Sequence, residues 1–391
     1  MEFWVSFLYN EKYKTTQIHV VAKKQPVSSR QSTKGVNTMQ PKKRITLKEL
    51  TGITGLSRTT IYNVLNNKGN FTAETRRTVL EAMERYDYRP NLNARNLALR
   101  REYIIAYVGI SSEETPYCNR DVQQGLARAL HEYEDDGLCL INKTCSVHDQ
   151  MAFYDTVLQL EQSGIKHYIL FPVNTPYMRD LAQGLIDRGC TVVLLSNQLA
   201  VEGALAYSGC DYFQSGQICG QLVQKMSPKP ANIQLVLNRV GKTDAATLER
   251  LRGFEEYISQ FDHLHLCEPF YVNETEPSVE NLSRLFTEHH VDTVVDIIGA
   301  LEQAARALET TGTAQDTTLI GFDLYDEVVP YLQRNTIDAL IEQGLAYQAW
   351  DAVRMMFDYL CYNKKPNEFE NYASLHVILS SNLRYFQNRK W

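Results

Sequence analysis

Patterns typical of membrane, secreted and zinc-binding proteins are absent from the 391 residues of this chain. No apolar run approaches the roughly 20 residues that a membrane-spanning helix needs. The apolar start of the sequence is short and lacks both a basic lead-in and a small-residue cleavage site, so we expect no signal peptide. The eight cysteines include no C-x-x-C pair. We therefore expect free thiols in a reducing cytoplasm rather than a disulfide or zinc framework.

Motifs of common nucleotide-binding and hydrolytic enzymes are missing as well. Residues 109–112, which follow the first predicted strand, match neither G-x-G-x-x-G nor a P-loop. A hydrolase hypothesis would rest on His148, His289, His290 and Asp292, but no G-x-S-x-G, H-E-x-x-H or nucleophile–base spacing accompanies them. Two adjacent histidines at a helix end more often complement the helix dipole. We expect no catalytic activity, no cofactor and no metal.

Charge is unevenly distributed along the chain, although the formal net charge is only −6. Residues 39–101 contain 13 Lys/Arg against 5 Asp/Glu, and residues 1–38 contain 6 against 2. The remaining residues, 102–391, contain 21 basic and 39 acidic side chains. A small basic segment beside a large acidic one indicates that only the first meets a polyanion, although chance clustering on a solvated face would give the same counts.

The first 44 residues show no sustained hydrophobic period, and residues 23–44 are rich in Ser, Thr, Gln and Lys. Such a composition buries too little apolar surface to fold, so we predict a disordered leader over residues 1–44. Met39 precedes the first patterned element by six residues, which makes it a candidate for the true initiator. Retention of Met1 in natively expressed protein, measured by mass spectrometry, would rule that hypothesis out.

Three short helices are predicted after this leader. Thr46 and Glu49 form a capping box at the start of the first helix, and Gly55 suits the left-handed residue that follows its end. Ser57 begins a second helix that ends near residue 65, and Thr72 begins a third that ends near residue 86. The apolar positions expected to face the core are Leu47, Leu50, Ile53, Ile61, Val64, Leu65, Val79, Leu80 and Met83. This arrangement is typical of a helix-turn-helix domain.

Beyond residue 101 the pattern changes to short apolar strands that alternate with amphipathic helices. Strands are predicted at residues 104–110, 138–141, 167–172, 191–195, 233–237, 265–271, 293–298, 318–321 and 337–341. Clear helices are predicted at residues 121–133, 212–225, 245–260 and 345–362. Alternation over nearly 290 residues predicts parallel sheets covered on both faces. Because this length exceeds one doubly wound domain, we predict two α/β lobes with a cleft between them.

An ordered set of short matches links the basic segment to a known family. The matches are ITLKEL at 45–50, GLSRTTI at 55–61, VLN at 64–66, ETR at 74–76, YRPN at 88–91 and ARNL at 94–97. Together they resemble the DNA-binding region of the LacI/GalR family of transcription regulators. Looser markers of the family's sensor, which is related to periplasmic sugar-binding proteins, are TPY at 115–117, RLRGF at 250–254, GFD at 321–323 and IDA at 337–339.

The resemblance implies an N-terminal all-α helix-turn-helix domain over residues 45–90 and a hinge helix over 91–101. It also implies a two-lobed α/β sensor with a type I periplasmic-binding-protein-like fold over 102–391, for effector binding and dimerisation. The function implied is that of a cytoplasmic, homodimeric repressor without membrane contact. Its partners would be double-stranded DNA carrying a pseudo-palindromic operator and a sugar or sugar-like effector.

Residues of the second helix match the positions that relatives use to read bases, namely Arg58, Thr59 and Asn63. Arginine can bridge two acceptors on guanine, and asparagine can pair bidentately with adenine. Many relatives carry Arg at the position of Asn63 and a small residue at that of Tyr62. We therefore expect an operator that differs from the family's commonest sequence.

The remaining DNA contacts are expected at phosphates and in the minor groove. Phosphate contacts through hydroxyls and helix N-termini are expected at Thr46, Ser57, Thr60 and Thr72. Helix capping alone would also explain each of these four residues. In the hinge, Ala94, Arg95 and Leu97 match the segment in which relatives insert a leucine between base pairs and bend the duplex. The alternative is that Leu97 packs in an ordinary linker helix.

Effector contacts are expected in the cleft at Tyr117, Asp211, Arg250, Asp296, Asp323 and Gln343. Asp323 follows a strand, and α/β folds bind ligands at the carboxyl ends of strands. Asp211 could instead cap a helix, and Arg250 could instead form a surface salt bridge with Glu249 or Asp244. Relatives commonly carry an Asn-Asp pair where this chain has Ile297-Ile298, so the usual monosaccharide pose cannot be assumed. A regulator that answers to a protein partner instead of a small molecule is the second hypothesis.

Overall fold

The computed structural model describes residues 5–10, 15–20, 47–65, 71–86, 88, 102–111, 116–238, 244–272 and 278–387. Four residues with predicted DNA contacts lie outside these ranges: Thr46 and the hinge residues Ala94, Arg95 and Leu97. Their predicted contacts stay predictions.

Two strands occupy the start of the chain. Strands β1 (Val5–Asn10) and β2 (Thr15–Val20) pair in antiparallel register, with Val5 opposite Val20 and Phe7 opposite Ile18. The prediction of a leader that is disordered throughout is therefore wrong for these two segments. Apolar residues recur at every second position in both, which is a strand pattern. The polar composition of residues 23–44 outweighed this signal in the prediction.

A three-helix domain follows. Its helices are α1 (Leu47–Thr54), α2 (Arg58–Leu65) and α3 (Ala73–Arg85). Leu50, Ile61 and Val79 are completely buried at its centre, and Tyr88 packs into the same core. Gly55, in the turn between α1 and α2, has a φ of +68°, which suits a residue without a Cβ atom. The helix-turn-helix prediction is confirmed.

Two residues predicted for this core lie at its edge. Ile53 is 43% exposed and Leu80 is 49% exposed. Successive helix positions differ by about 100°, so the neighbours of a buried residue turn away from the core. Helix α3 buries Val79 and Ala82, which leaves Leu80 on its outer side. The prediction, which counted every apolar residue as buried, made the buried faces of α1 and α3 too wide.

The remainder of the chain alternates strands and helices. Its strands are β3 (Tyr103–Ser111), β4 (Leu138–Ser146), β5 (His167–Phe171), β6 (Thr191–Leu195), β7 (Ala206–Gly209), β8 (Ala231–Asn238), β9 (Leu264–Leu266), β10 (Phe270–Val272), β11 (Thr293–Ile298), β12 (Thr318–Phe322), β13 (Ala339–Glu342), β14 (Glu370–Tyr372) and β15 (His376–Ile378). Its helices are α4 (Pro116–Tyr133), α5 (Gln150–Gln162), α6 (Pro176–Asp187), α7 (Tyr212–Met226), α8 (Ala245–Ile258), α9 (Ser278–Glu288), α10 (Leu301–Thr311), α11 (Val329–Gln333), α12 (Leu345–Tyr362) and α13 (Arg384–Gln387). A single strand is predicted over 265–271, whereas the structure has β9 and β10, interrupted beside Pro269, which has no backbone N–H to donate.

These elements form two lobes, each built on one sheet. The N-lobe sheet has the strand order β14–β7–β6–β5–β3–β4, and all of its pairs are parallel. The C-lobe sheet has the order β10–β8–β11–β12–β13–β15, with β9 beside β8 and with β15 antiparallel. The chain passes between the lobes after β7, after β13 and after β14. The predicted two-lobed α/β fold is confirmed.

The strand order predicts where a ligand would bind. In the N-lobe the chain runs from β3 to β4 on one side and then to β5 on the other. In the C-lobe it runs from β8 to β9 and β10 on one side and then to β11 on the other. Open α/β sheets bind ligands at the carboxyl ends of strands beside such a reversal. None of the helices in the described ranges has the length and apolarity to cross a membrane.

Candidate nucleic-acid interface and ligand cleft

The N-terminus of α2 is fixed by a capping hydroxyl. Ser57 Oγ accepts a hydrogen bond of 3.0 Å from the backbone N–H of Thr60 and lies 2.8 Å from the Thr60 hydroxyl. Thr72 Oγ1 caps α3 in the same way, accepting from the N–H of Thr75 at 3.1 Å. The capping explanation therefore holds for Ser57 and Thr72. A phosphate contact by the same groups stays a prediction, because a hydroxyl that accepts from a backbone N–H still has its own O–H to donate to a phosphate oxygen.

The predicted base-reading residues share α2. Arg58 and Thr59 are exposed in its first turn, and Asn63 is half-buried one turn later. Ile61 of the same helix is buried in the domain core, so the helix is anchored while its first turn meets solvent. Burial raises the pKa of Tyr88, and the charge of Arg58 opposes that rise, which places the guanidinium near the residue that leads toward the hinge.

A cavity of about 130 Å³ lies between the two lobes, at the carboxyl ends of both sheets. The N-lobe and the crossover into α12 contribute Ile110, Ser111, Tyr117, Cys118, Asn119, Val147, Phe171, Ser196, Asn197 and Leu345. The C-lobe and the crossovers into it contribute Tyr212, Asn238, Asp244, Ala246, Thr247, Arg250, Ile298, Asp323 and Gln343. Four of the six predicted effector residues are among them: Tyr117, Arg250, Asp323 and Gln343.

One lining residue in each lobe has a left-handed backbone. Ser196 follows β6 with a φ of 58°, and Asp323 follows β12 with a φ of 67°. Each N–H bonds to the adjacent strand, that of Ser196 to the carbonyl of Ser208 at 2.8 Å and that of Asp323 to the carbonyl of Ile341 at 3.0 Å. A non-glycine residue in this region costs about 1–3 kcal/mol, and such residues cluster at binding sites. Their matching positions in the two lobes make this cleft the candidate functional site.

Arg250 is held in the cavity wall by backbone and aromatic contacts. It is only 3% exposed, and its Nη1 donates a 2.7 Å hydrogen bond to the carbonyl of Ile297. Its guanidinium carbon lies 4.0 Å from the ring centre of Phe322 and 5.6 Å from that of Tyr212. Its Nε is buried without a hydrogen-bond partner in the described structure. The alternative of a surface salt bridge does not hold, since Glu249 pairs with Arg252 instead.

The position of Arg250 depends on two glycines at the crossing of α7 and α8. A Cβ atom at Gly216 would overlap the carbonyl oxygen of Arg250, and one at Gly253 would overlap that of Phe213. The two helices can therefore approach closely only because both residues lack a side chain. The close crossing of α7 and α8 therefore holds Arg250 at the cavity wall.

Asp323 begins a hydrogen-bond chain that leads into the lobe crossovers. Gln343 Nε2 donates to its carboxylate at 2.7 Å, and the Cys210 thiol lies 3.5 Å from Gln343 Oε1. Gln348 Nε2 in turn donates to the carbonyl of Gln343 at 2.9 Å. Burial raises the pKa of the Asp323 carboxyl, whereas the Arg250 charge and the Gln343 bond oppose that rise. The cavity is thereby connected to the segments about which the lobes would hinge.

Tyr117 joins the two lobes directly. Its ring stacks on that of Tyr325 with centres 4.1 Å apart and planes within 3°. Tyr117 is in α4 of the N-lobe, and Tyr325 follows β12 of the C-lobe. Burial raises the pKa of the Tyr117 phenol well above its ordinary value. Its role in the cleft is thus at least partly to hold the lobes together in this conformation.

Two predicted effector residues lie away from the cavity wall. Asp211 caps α7, where its carboxylate accepts from the N–H of Gln214 at 2.8 Å. Asp296 is 1% exposed and accepts from the N–H of Ala300 at 2.9 Å, and burial raises its pKa to about 7. The capping explanation for Asp211 is the one that the structure supports. Asp296 is not among the residues that line the cavity, although the charges of Arg250 and Asp323 act on its carboxyl.

Several lining residues escaped prediction. They include Asn119, Asn197, Asn238, Asp244 and Tyr212. Asn238 ends β8, and Asn197 follows β6 by two residues, so the first amide at the end of each strand was a usable signal. Asp244 caps α8 by accepting from the N–H and the hydroxyl of Thr247, both at 2.8 Å. Nothing in the sequence distinguishes that cap from the other caps of the chain.

The residues of the hydrolase hypothesis lie in two separate places: His148 follows the cavity-lining Val147, whereas His289, His290 and Asp292 lie together before β11. Asp292 directly precedes β11 and so lies at the amino end of the sheet, opposite the cavity. Its carboxylate is 3.1 Å from Nε2 of His290, an 81% exposed side chain. Among the described residues no cluster of His, Cys, Asp or Glu is arranged to hold a metal ion. The geometry gives this set no catalytic arrangement.

Comparisons with known proteins agree with this architecture. The family profile of the periplasmic binding protein domain matches residues 105–365, and that of bacterial regulatory proteins of the lacI family matches residues 46–91. In structure, the chain is similar to a Bacteroides fragilis protein described as a LacI transcriptional regulator, with a TM-score of 0.66, 19% identity and coverage of 73% of this chain and 99% of that one. It is also similar to an ABC transporter solute binding protein of Bacillus halodurans with bound myo-inositol, with a TM-score of 0.63, 18% identity and coverage of 73% and 98%. At such identities these structures establish the fold alone.

Curated relatives are transcription regulators. The "Probable HTH-type transcriptional repressor ExuR" of Bacillus subtilis is 25% identical over 180 residues, which are 44% of this chain and 52% of that protein. The HTH-type transcriptional regulator AscG of Escherichia coli is 25% identical over 219 residues, 55% of this chain and 61% of AscG. The matched part of this chain thus spans between half and two thirds of these two relatives.

The two-lobed sensor defines a protein of the periplasmic-binding-protein class. The chain belongs to the periplasmic binding protein domain family by the match over residues 105–365, and it carries before that domain a helix-turn-helix region of the lacI family of bacterial regulatory proteins. The curated proteins that it resembles are transcription regulators.

Proposed function

We propose that this regulator is a homodimeric repressor that binds a pseudo-palindromic operator and is controlled by a sugar or sugar derivative bound between its lobes. The observation that carries the proposal is the cavity at the carboxyl ends of both sheets, with one strained residue from each lobe in its wall. We place its action in the cytoplasm, where an operator in bacterial DNA is accessible.

The composition and size of the cavity favour a compact polyhydroxylated ligand. Amide and carboxylate side chains in the wall offer bidentate partners for ring hydroxyls, and Phe171 and Tyr212 offer aromatic faces for C–H surfaces. The guanidinium of Arg250 in the wall offers a positive charge for a ligand oxygen. A volume of about 130 Å³ is below the roughly 300–1,000 Å³ of pockets for drug-sized molecules. A single ring therefore fits better than an oligosaccharide.

On the DNA side, α2 enters the major groove with Arg58 and Thr59 foremost. One helix-turn-helix unit reaches a single half-site, so a second subunit is needed for a two-fold operator. The hinge residues Ala94, Arg95 and Leu97 would then meet their partners in the minor groove. Thr46, Ser57, Thr60 and Thr72 would hold the domain against the phosphates.

Control by the effector requires that it bind one arrangement of the lobes better than another. Ligand contacts to Asp323 and Gln343 would act on the crossovers through the bonds to Cys210 and Gln348. Stacking of Tyr117 on Tyr325 would favour the arrangement described here. A change in the spacing of the lobes would reach the DNA-binding domains through the hinges.

The DNA half of the proposal is tested with an operator selected from random DNA by the purified chain. Arg58→Ala should weaken binding to that operator by about 5- to 150-fold, the loss of 1–3 kcal/mol expected for a bidentate base contact. Arg77→Ala is the matched control, because Arg77 is an exposed arginine of α3 paired with Glu81. Equal losses in both variants, or no selected sequence at all, would overturn this half.

The effector half is tested by a thermal-shift screen of the purified chain against sugars, sugar acids and phosphosugars. A specific hit whose stabilisation is lost in Arg250→Met, while the unliganded variant still melts cooperatively, supports the cavity as the site. No hit across the library would favour the second hypothesis, a regulator that answers to a protein partner. Formation of a product would favour an enzyme.

A further inference from the structure

The C-lobe wall of the cavity presents four side chains in a fixed order. Strands β8, β11, β12 and β13 are parallel neighbours, and Asn238, Ile298, Asp323 and Gln343 lie at or just beyond their carboxyl ends. Across the wall the order is therefore amide, sec-butyl hydrocarbon, carboxylate and amide. One apolar residue stands between polar groups on both sides.

The backbone of β11 holds Ile298 in this position. The pairing of β11 with β8 is regular up to Asp296, which lies opposite Val236. The next paired residue of β8, Leu237, lies opposite Ile298, so that Ile297 is an extra residue in β11. Such an extra residue bends a strand and re-aims the side chain that follows it. Ile297 is consequently buried in the core of the C-lobe, and Ile298 reaches the cavity.

The same irregularity is tied to Arg250. The carbonyl of Ile297 accepts the 2.7 Å hydrogen bond from Arg250 Nη1. The guanidinium is itself fixed by the rings beside it and by the close crossing of α7 and α8. Ile298 is therefore held rigidly rather than on a mobile loop. Across the cavity, the facing lobe contributes Ile110, Val147 and Leu345, which are also apolar.

A ligand hydroxyl placed against Ile298 would lose its water without gaining a hydrogen-bond partner, whereas a methyl or methylene group would gain from burial. The polar groups on either side of Ile298 can still form hydrogen bonds with ligand hydroxyls. We infer that Ile298 sets the specificity of the cavity, which takes a ring sugar with hydroxyls at Asn238 and at Asp323–Gln343 and an unhydroxylated carbon at Ile298, as in a deoxy sugar. This inference rests on the proposed function, namely that a sugar occupies the cavity.

The test compares pairs of sugars that differ by one hydroxyl. Binding of L-fucose and L-galactose, of L-rhamnose and L-mannose, and of D-fucose and D-galactose is measured by calorimetry with the full chain. In at least one pair the deoxy member should bind at least about tenfold more tightly, the discrimination typical of one small group in an apolar pocket. Ile298→Asn should remove or invert that preference, and Ile298→Val should keep it.

Three outcomes would overturn the inference. Within a binding pair, the hydroxylated sugar could bind as well as or better than its deoxy partner, or the ratio could be unchanged in Ile298→Asn. Either result would leave the proposed function intact. Failure of all six sugars to bind would overturn the inference of a deoxy-sugar ligand, while the thermal-shift screen decides separately whether the proposed function holds. Melting of each unliganded variant near the wild-type temperature establishes that the variants are folded.

Discussion

Replacing the carboxylate of Asp121 by an amide should stabilise the protein, and more so at higher pH. Asp121 of α4 lines a second cavity, of about 460 Å³, together with Glu342 at the end of β13. Burial raises the pKa of Asp121 to about 7, the charges of Asp323 and Asp326 add to the rise, and Arg120 opposes it. Burial and the neighbouring Asp323 likewise raise the pKa of Glu342 to about 8. Carboxylates from the two lobes thus face each other.

The direction in which folding stability changes with pH follows from proton binding by Asp121. The folded state binds the Asp121 proton more tightly than the unfolded chain does, so stability falls as pH rises from about 4 to about 7. A shift from the ordinary value of 3.8 to about 7 corresponds to about 4 kcal/mol at most. Because solvent and relaxation reduce such values, we expect Asp121→Asn to gain about 1–2 kcal/mol between pH 5 and pH 8 relative to wild type.

Thermal melting at half-unit steps from pH 5 to pH 8.5 measures this gain. The melting temperature of Asp121→Asn should exceed that of wild type by about 2–4 °C at pH 8, and the difference should shrink toward pH 5. Asp326→Asn is the control, since this carboxylate is 90% exposed and its ion pair with Arg120 is worth little. A constant difference across the range, or a destabilised Asp121→Asn at pH 8, would refute the reasoning.

Three further predictions concern the other parts of the molecule. Ser57→Ala removes the hydrogen-bond acceptor of the Thr60 N–H and should lower the free energy of unfolding of the DNA-binding domain, measured by thermal melting, by about 0.5–2 kcal/mol. Ser57→Gly should lower it by only about a few tenths of a kcal/mol, and equal losses in the two variants would contradict capping. Gly253→Ala places a Cβ atom against the carbonyl oxygen of Phe213 in α7 and should lower the free energy of unfolding, measured by chemical denaturation, by about 1–3 kcal/mol. A Cβ atom at Gly52 would have no atom within 4 Å, so Gly52→Ala should raise the free energy of unfolding by about 0.5–1 kcal/mol. Leu97→Ala should keep the fold and effector binding but weaken operator affinity and DNA bending in gel-shift assays; an unchanged bend angle would remove Leu97 as a minor-groove wedge.

The sequence predicted those helices and strands that are long enough to show a hydrophobic period and are bounded by cap or turn residues. The predicted ends of α12 agree with the structure because its apolar face packs against the N-lobe sheet over five turns, with Gly344 before it and Asn363 after it, both left-handed. The short strands β7, β14 and β15 went unpredicted. Each has three or four residues, too few to show a period, and each pairs with a segment distant in sequence.

The cavity was predictable in location but only partly in composition. Arg250, Asp323 and Gln343 follow from family motifs, and Asn197 and Asn238 are the first amides at two strand ends, whereas the cap formed by Asp244 resembles the other helix caps of the chain. Asp296 accepts a hydrogen bond from the N–H of Ala300 and is not among the residues that line the cavity. The pairing of β11 with β8 shifts at Ile297, and Ile298 is the residue of β11 that lines the cavity. No local feature of the sequence indicates this shift.

The central claim is that one chain couples a cleft ligand to operator binding. The direct measurement is fluorescence anisotropy of the selected operator with the full chain, with and without a saturating sugar identified by the thermal-shift screen. We predict that operator affinity changes by about 5- to 150-fold, and that the operator changes the affinity for the sugar by the same factor, as linkage requires. Operator affinity that stays the same at saturating sugar, although the sugar binds in the cavity, would contradict the account.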